Sequence, residues 1–336
     1  MTVFWAAVTS LGVAFLATPL AIRLAHRTAF FDHPVAYKAH GAATPYLGGV
    51  AVMAGFLVAA VLFGDATDGY FGLAAAAVGM WLLGTVDDRV SLPPELRVVV
   101  EALAAVLLWS QDLGWTCFDS DFLNLMLTTV WVVGLINAFN LMDNMDGATA
   151  TVAAASVSTL GVWCALEDAE ALAALCFGLG GACLGFLPFN LASPSRIFLG
   201  DGGSMPIGFL VAALAMALPT DETGVSAFLE VLPLVGLVAL DTCLVIVSRL
   251  RRSVPLLTGG RDHVTHRLRT RLPSARAVAF CLGAVQVALG AIAIVAGTLG
   301  DVAIAATFAG GTLVGVVALI VLETPAWRPE GRATFD

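Results

Sequence analysis

Apolar stretches of about 20 residues recur along the whole chain, and that repetition leaves few folds open. A hydrocarbon core roughly 30 Å thick is crossed by about 20 helical residues. Eleven stretches approach that length: about 2–22, 46–64, 69–86, 96–111, 122–140, 147–166, 170–189, 204–219, 225–248, 276–299 and 302–322. Backbone polar groups in lipid must be satisfied within the protein, which leaves helices or closed barrels, and runs this long point to helices. With 59% hydrophobic and 12% charged residues among 336, the chain lies outside the soluble range. The expected fold is all-α and polytopic, one domain over residues 1–336 with about 10–11 transmembrane helices. The fourth and eighth spans are the shortest. The first lacks a basic leader and is followed by Arg23 and Arg27, so it reads as a retained span.

Numbering the connections in order, all 16 Lys and Arg residues fall in the odd ones. The even connections carry acids alone, among them Asp65, Asp112, Asp168, Glu222 and Asp301. This is the positive-inside pattern. It puts the N-terminus outside and the C-terminus in the cytoplasm. The net charge of −9 hides a basic cytoplasmic loop, 249–275, which suits phosphate or anionic headgroups. Nothing in the pattern points to nucleic acid. The six cysteines include no CxxC pair and read as small buried hydrophobes. Gly180-Gly181 and Gly310-Gly311 read as helix-packing positions.

The polar motifs gather on the basic side. Asp87 and Asp88 are adjacent at the inner end of the third span. Both stay ionised there only beside a compensating cation. Asn137, Asn140, Asp143 and Asp146 recur every three residues and would form one drifting stripe on a continuous helix. Amides and carboxylates together suit a hard cation, a sugar or a base. In Phe198-Leu199-Gly200-Asp201-Gly202-Gly203-Ser204, glycines let backbone approach a ligand around one acid. Phe198 offers a stacking ring, and Ser204 is placed to cap the next helix.

Further along, His263, His266 and Arg267 would share a helical face as a pyrophosphate-sized donor set. Zinc is disfavoured because no third His or Cys lies nearby. Lys38 and His40 precede a glycine pair, Gly48-Gly49, ahead of the second span. Arg97 and Glu101 read as an i,i+4 pair. Asp241 lies within the ninth span without an assigned role.

Together these motifs resemble the polyprenyl-phosphate N-acetylhexosamine-1-phosphate transferases, in order over about residues 19–268. The histidine motif is similar to the undecaprenyl-phosphate N-acetylglucosamine-1-phosphate transferase branch. Thr265 stands where a further His is common, Tyr37 where Arg often precedes the Lys, and Glu101 where Gln is frequent. Pro194 lies one residue further from Asn190 than usual. The resemblance implies Mg²⁺-dependent transfer of a HexNAc-1-phosphate, GlcNAc first among them, from a UDP-sugar to polyprenyl phosphate, releasing UMP. Mn²⁺ is an acceptable substitute and a homodimer is allowed. It implies Asp201 as metal ligand with Asn140 as a second, and Asp87 or Asp88 acting on the lipid phosphate. Asn137, Asp143, Asp146, Phe198 and Gly200 would hold the uridine side, and Lys38, His263, His266 and Arg267 the phosphates. A phospho-MurNAc-pentapeptide translocase-type activity is the nearest alternative. An ion-coupled transporter is another class, and it would need acids at mid-span on several helices.

Overall fold

The computed structural model describes residues 1–32, 43–64, 70–219, 224–256 and 258–328. Each of the eleven apolar stretches contains a helix. In chain order the helices are α1 (Thr2–Thr28), α2 (Gly48–Phe63), α3 (Tyr70–Val90), α4 (Pro94–Trp109), α5 (Asp121–Met142), α6 (Ala148–Leu166), α7 (Glu170–Asn190), α8 (Asp201–Met216), α9 (Val225–Val231), α10 (Gly236–Arg252), α11 (Val264–Arg269), α12 (Ala275–Leu299) and α13 (Asp301–Leu322). A 3₁₀ turn, Leu232–Val235, joins α9 to α10, so the ninth stretch is a broken helix. Seven helical segments among the described residues are long and apolar enough to cross a membrane, and this is a multi-pass membrane protein. Among the described residues the one extended element is a two-residue antiparallel pairing of Phe31–Asp32 with Thr44–Pro45.

The bundle is centred on α8, whose side chains are nearly all buried, with α3 and α5 packed against it. A second layer stacks α1 and α2 on α7, and α6 joins α7 to α12. α13 lies at the edge with few buried residues. Small residues let these helices approach closely. A Cβ on Gly181 would lie 2.4 Å from the Ala7 carbonyl oxygen, so α1 and α7 meet backbone to backbone. Gly310 and Gly311 do not fit that reading, since a Cβ on either would meet nothing within 4 Å.

Two faces of the bundle are chemically distinct. On one, the N-terminal ammonium meets Glu170 at the start of α7, and Ser226 bonds Asp301 at the start of α13. The other lies at the far end of α7, about 30 Å away for a helix of 21 residues. There the C-terminal ends of α3, α5, α7 and α10 meet the N-terminal ends of α2, α4, α6 and α8, and Asp87, Asp88, Asn140, Asp143 and Asp201 lie at these ends.

Gly49, in the first turn of α2, lies against the first turn of α8; a Cβ there would sit 2.2 Å from the Gly202 carbonyl oxygen. Both partners are backbone, so Gly49→Ala should destabilise the protein by about 1–3 kcal/mol or more, as overpacking does. Gly79→Ala, in open space on α3, should be neutral or slightly stabilising. Thermal unfolding in detergent compares the two, and equal midpoints would remove the close-approach argument.

Candidate active site

The site is assembled around the start of α8. Gly200 precedes it with φ 76°, a conformation that favours glycine, and a Cβ there would lie 2.6 Å from an Asp88 oxygen. Asp88 reaches across from the last turn of α3. Its two carboxylate oxygens accept the N–H groups of Asp201 at 2.9 Å and Gly202 at 3.0 Å. These are donors a helix start leaves unpaired, so a side chain from another helix caps α8. Ser204 is not the cap. The helix begins three residues earlier than expected, and the buried Ser204 hydroxyl instead accepts from the Asn140 amide at 3.1 Å.

Asp87 turns the other way. One oxygen accepts the Leu92 N–H at 2.6 Å and the other pairs with Arg97 at 2.7 Å. Arg97 also donates to the Asn140 carbonyl oxygen at 3.1 Å and lies 3.6 Å from Asp201. The expected Arg97–Glu101 pairing gives way to this arrangement. Pro93-Pro94 start α4 beside the end of α3, which puts Arg97 within reach of three carbonyl-bearing side chains at once. Glu101 takes Asn137 instead, at 2.5 Å, and Asn137 also bonds the Val133 carbonyl. Asn137 thus joins α5 to α4. Asn140 donates to Asp201 at 2.7 Å, so its oxygen is held by Arg97 and its nitrogen by Asp201. In this arrangement it orients Asp201.

The polar stripe does not continue as one helix. α5 ends at Met142, and Asp143 to Gly147 form a tight turn closed by Gly147 at φ 76°. Asn190, buried at the end of α7, fastens that turn: its oxygen accepts the Gly147 N–H at 2.6 Å and its amide donates to the Ile197 carbonyl at 2.9 Å. One side chain therefore sets the α5–α6 turn against the loop that leads to Gly200. Asp143 faces Asp201 and Asp146. Withdrawal from water pushes it up to about 8, repulsion from those two acids acts in the same direction, and the Gly200 backbone N–H opposes it. The Phe198 ring is half-buried and meets Tyr46 edge-on at 6.2 Å. Tyr46, absent from the sequence expectations, lies in the field of Asp88, Asp201 and Asp143.

Residues 70–219 match the family described as glycosyl transferase family 4. The chain is 30% identical over 298 residues to the decaprenyl-phosphate N-acetylglucosaminephosphotransferase of Mycolicibacterium smegmatis, covering 76% of this chain and 72% of the relative. It is 28% identical over 275 residues to the probable undecaprenyl-phosphate N-acetylglucosaminyl 1-phosphate transferase of Bacillus subtilis, covering 78% and 75%. The undecaprenyl-phosphate alpha-N-acetylglucosaminyl 1-phosphate transferase of Escherichia coli K12 is 27% identical over 279 residues, covering 77% and 75%. The chain belongs to glycosyl transferase family 4. As a member it is a glycosyl-1-phosphate transferase.

The transferase's histidine loop is docked rather than free. Asp241, fully buried in α10, lies 2.8 Å from His263 Nδ1 and accepts the Val264 N–H at 2.6 Å. The intramembrane acid thereby caps α11 and leaves His263 Nε2 as the ring nitrogen available to a ligand. Thr265 donates to the Asn144 carbonyl oxygen, which ties α11 to the acidic turn. Asp262 pairs with Arg249 and Arg252 at the end of α10. His263 and His266 are neighbours, with ring centroids 6.3 Å apart. Arg267 leaves the expected donor set. It is buried, paired with Glu323 at 2.5 Å, and bonded to the Leu322 carbonyl and the Ser248 hydroxyl. Lys38 and His40 lie outside the described residues.

The donor chemistry of the cluster fits a hard divalent cation. Asp87, Asp88, Asp143 and Asp201 share one region, and Arg97 pairs with two of them, Asp87 and Asp201. No three His, Cys, Asp or Glu side chains among the described residues form a ready metal cage. Mg²⁺ does not require one, since it keeps several waters and takes one or two carboxylates plus substrate phosphates.

Breaking the buried Arg267–Glu323 pair by Glu323→Ala should cost about 3–5 kcal/mol, read as a lower unfolding midpoint; an unchanged midpoint would return Arg267 to the donor set. His266 is half-buried, and burial pushes it down to about 4, with His263 adding to the shift. The unfolded chain takes that proton near pH 6.5, so stability should fall as pH drops from about 6.5 toward 4. The loss between pH 7 and pH 5 should shrink in His266→Gln.

Proposed function

We propose that this enzyme transfers GlcNAc-1-phosphate from UDP-GlcNAc to polyprenyl phosphate with release of UMP, aided by Mg²⁺, at the cytoplasmic face of a bacterial plasma membrane. The observation that carries the reading is the meeting of Asp88, Asp143, Asn140, Arg97 and Asp201, drawn from four helices, at the face that holds the Arg residues. The relatives' names supply the sugar and the lipid class. The Lys and Arg distribution supports eleven spans, with the N-terminus outside and the C-terminus inside.

In the reaction an oxygen of the lipid phosphate attacks the sugar-bearing phosphorus of the nucleotide sugar. The bond from that phosphorus to the bridging oxygen breaks, and the oxygen leaves with UMP. The lipid phosphate is already largely ionised near neutral pH, so the protein's task is positioning and charge neutralisation. Asp201 would hold the metal, with Asp143 beside it, and a bound Mg²⁺ supplies positive charge to the phosphate oxygens. Asn140 and Arg97 keep Asp201 aimed. Asp88 keeps the start of α8 in place, and Asp87 anchors Arg97, so both acids shape the site. Phe198 and Tyr46 form an aromatic wall suited to the uracil ring, next to Gly200 and Asp146. His263 and His266, with Lys38, would face the phosphates.

Asp201→Asn should lower UMP release by roughly 10²-fold or more while the protein still inserts and unfolds cooperatively. Arg97→Met should lower it by roughly 10-fold or more, with Arg97→Lys partly restoring the rate. Purified protein given UDP-GlcNAc, UDP-GalNAc or UDP-MurNAc-pentapeptide with undecaprenyl phosphate, followed by mass analysis of the lipid, assigns the donor. Near-normal turnover by Asp201→Asn would overturn the site, and a pentapeptide-bearing product would overturn the substrate.

A further inference from the structure

A second cationic feature lies apart from the carboxylate cluster. α7 and α12 both pack on α6, and at the basic face a cavity of about 500 Å³ opens between their ends. It is lined by the last turn of α7 at Pro188, by the loop carrying Ser193, Ser195 and Arg196, and by Arg276 in the first turn of α12. No acid lines it, and none of Asp88, Asp143 and Asp201 does. Arg276 is held in place by its Nε–H, which donates to the Leu191 carbonyl at 2.6 Å. That bond leaves both terminal nitrogens of its guanidinium available. Arg196 is exposed and has no ion-pair partner among the described residues.

One turn further along each helix, away from the basic face, the flanks are apolar and uncovered. Leu184 on α7 is 46% exposed and Phe280 on α12 is 66% exposed. Each lies four residues from a cavity residue on its own helix, Pro188 or Arg276, and so on the same helical face. A pair of guanidiniums with exposed apolar side chains one turn away on each helix matches an anion attached to hydrocarbon.

We propose that this cavity binds the phosphate of an anionic membrane phospholipid, as a site separate from the reaction centre. Arg196 and Arg276 hold the phosphate oxygens, Ser193 adds a hydroxyl, and the acyl chains lie along Leu184 and Phe280. The lipid is not consumed there, because none of the residues assigned to the reaction lines the cavity.

The test is native mass spectrometry of the detergent-purified full chain, titrated with phosphatidylglycerol. The wild-type protein should retain phosphatidylglycerol in preference to phosphatidylcholine. Arg196→Gln combined with Arg276→Gln should weaken that retention by about tenfold while the protein still unfolds cooperatively. Undiminished retention in the double variant, or equal retention of the two lipids, overturns the proposal. Displacement by inorganic phosphate alone would show a free-anion site. Displacement by undecaprenyl phosphate would show an acceptor-lipid site. Either would overturn the phospholipid assignment. Binding is read without turnover, so the result stands apart from the identity of the sugar donor.

Discussion

The contact on which the site depends is the Asp88 carboxylate seated on the first two N–H groups of α8. A helix start presents unpaired donors and a partial positive charge, and here an acid from a different helix satisfies them. That junction places Asp201 at the first position of α8, where Asn140 and Arg97 reach it from α5 and α4. It requires backbone to meet backbone, which Gly200 beside Asp88 and Gly49 against Gly202 permit. A side chain at these positions would separate α2, α3 and α8 and open the cluster they enclose.

Around this junction the polar residues divide into those that build and those that remain available. Asp88, Asn190, Asp241 and Thr265 each bind backbone or side chain from a distant segment. Their effect is to lock the α5–α6 turn, the loop before α8 and the histidine loop into one assembly. In the proposed reaction, Asp201, Asp143 and His263 are the groups this assembly presents to substrate and metal. A membrane enzyme gains from the division, since irregular backbone near lipid is tolerated where protein contacts satisfy its polar groups.

Much of the site was legible in the sequence because the motifs are local and the membrane restricts where they can lie. Asp87-Asp88, the Asn140–Asp143 segment and Gly200-Asp201 were recognisable from residue type and from position at span ends. Arg97 and Tyr46 were missed. Arg97 looked like half of an ordinary i,i+4 pair, and Tyr46 like the start of a span. Arg267 was misplaced because its partner, Glu323, lies 56 residues away and no local pattern couples the two. Asp241 drew notice as an acid within a span, but its role needed His263 beside it.

The amino-acid order by itself determined the helices and the face. Apolar run length sets which segments can cross a bilayer, and the segregation of Lys and Arg from acids collects the motifs at one end. Both are properties of each segment alone, so they are readable without neighbours. Tertiary structure decided which polar groups pair, where α5 stops and α8 begins, and which cations are consumed by buried partners. Those outcomes turn on distances of a few ångströms between residues far apart in sequence, where one hydrogen bond or one missing Cβ selects between arrangements the chain alone leaves equal.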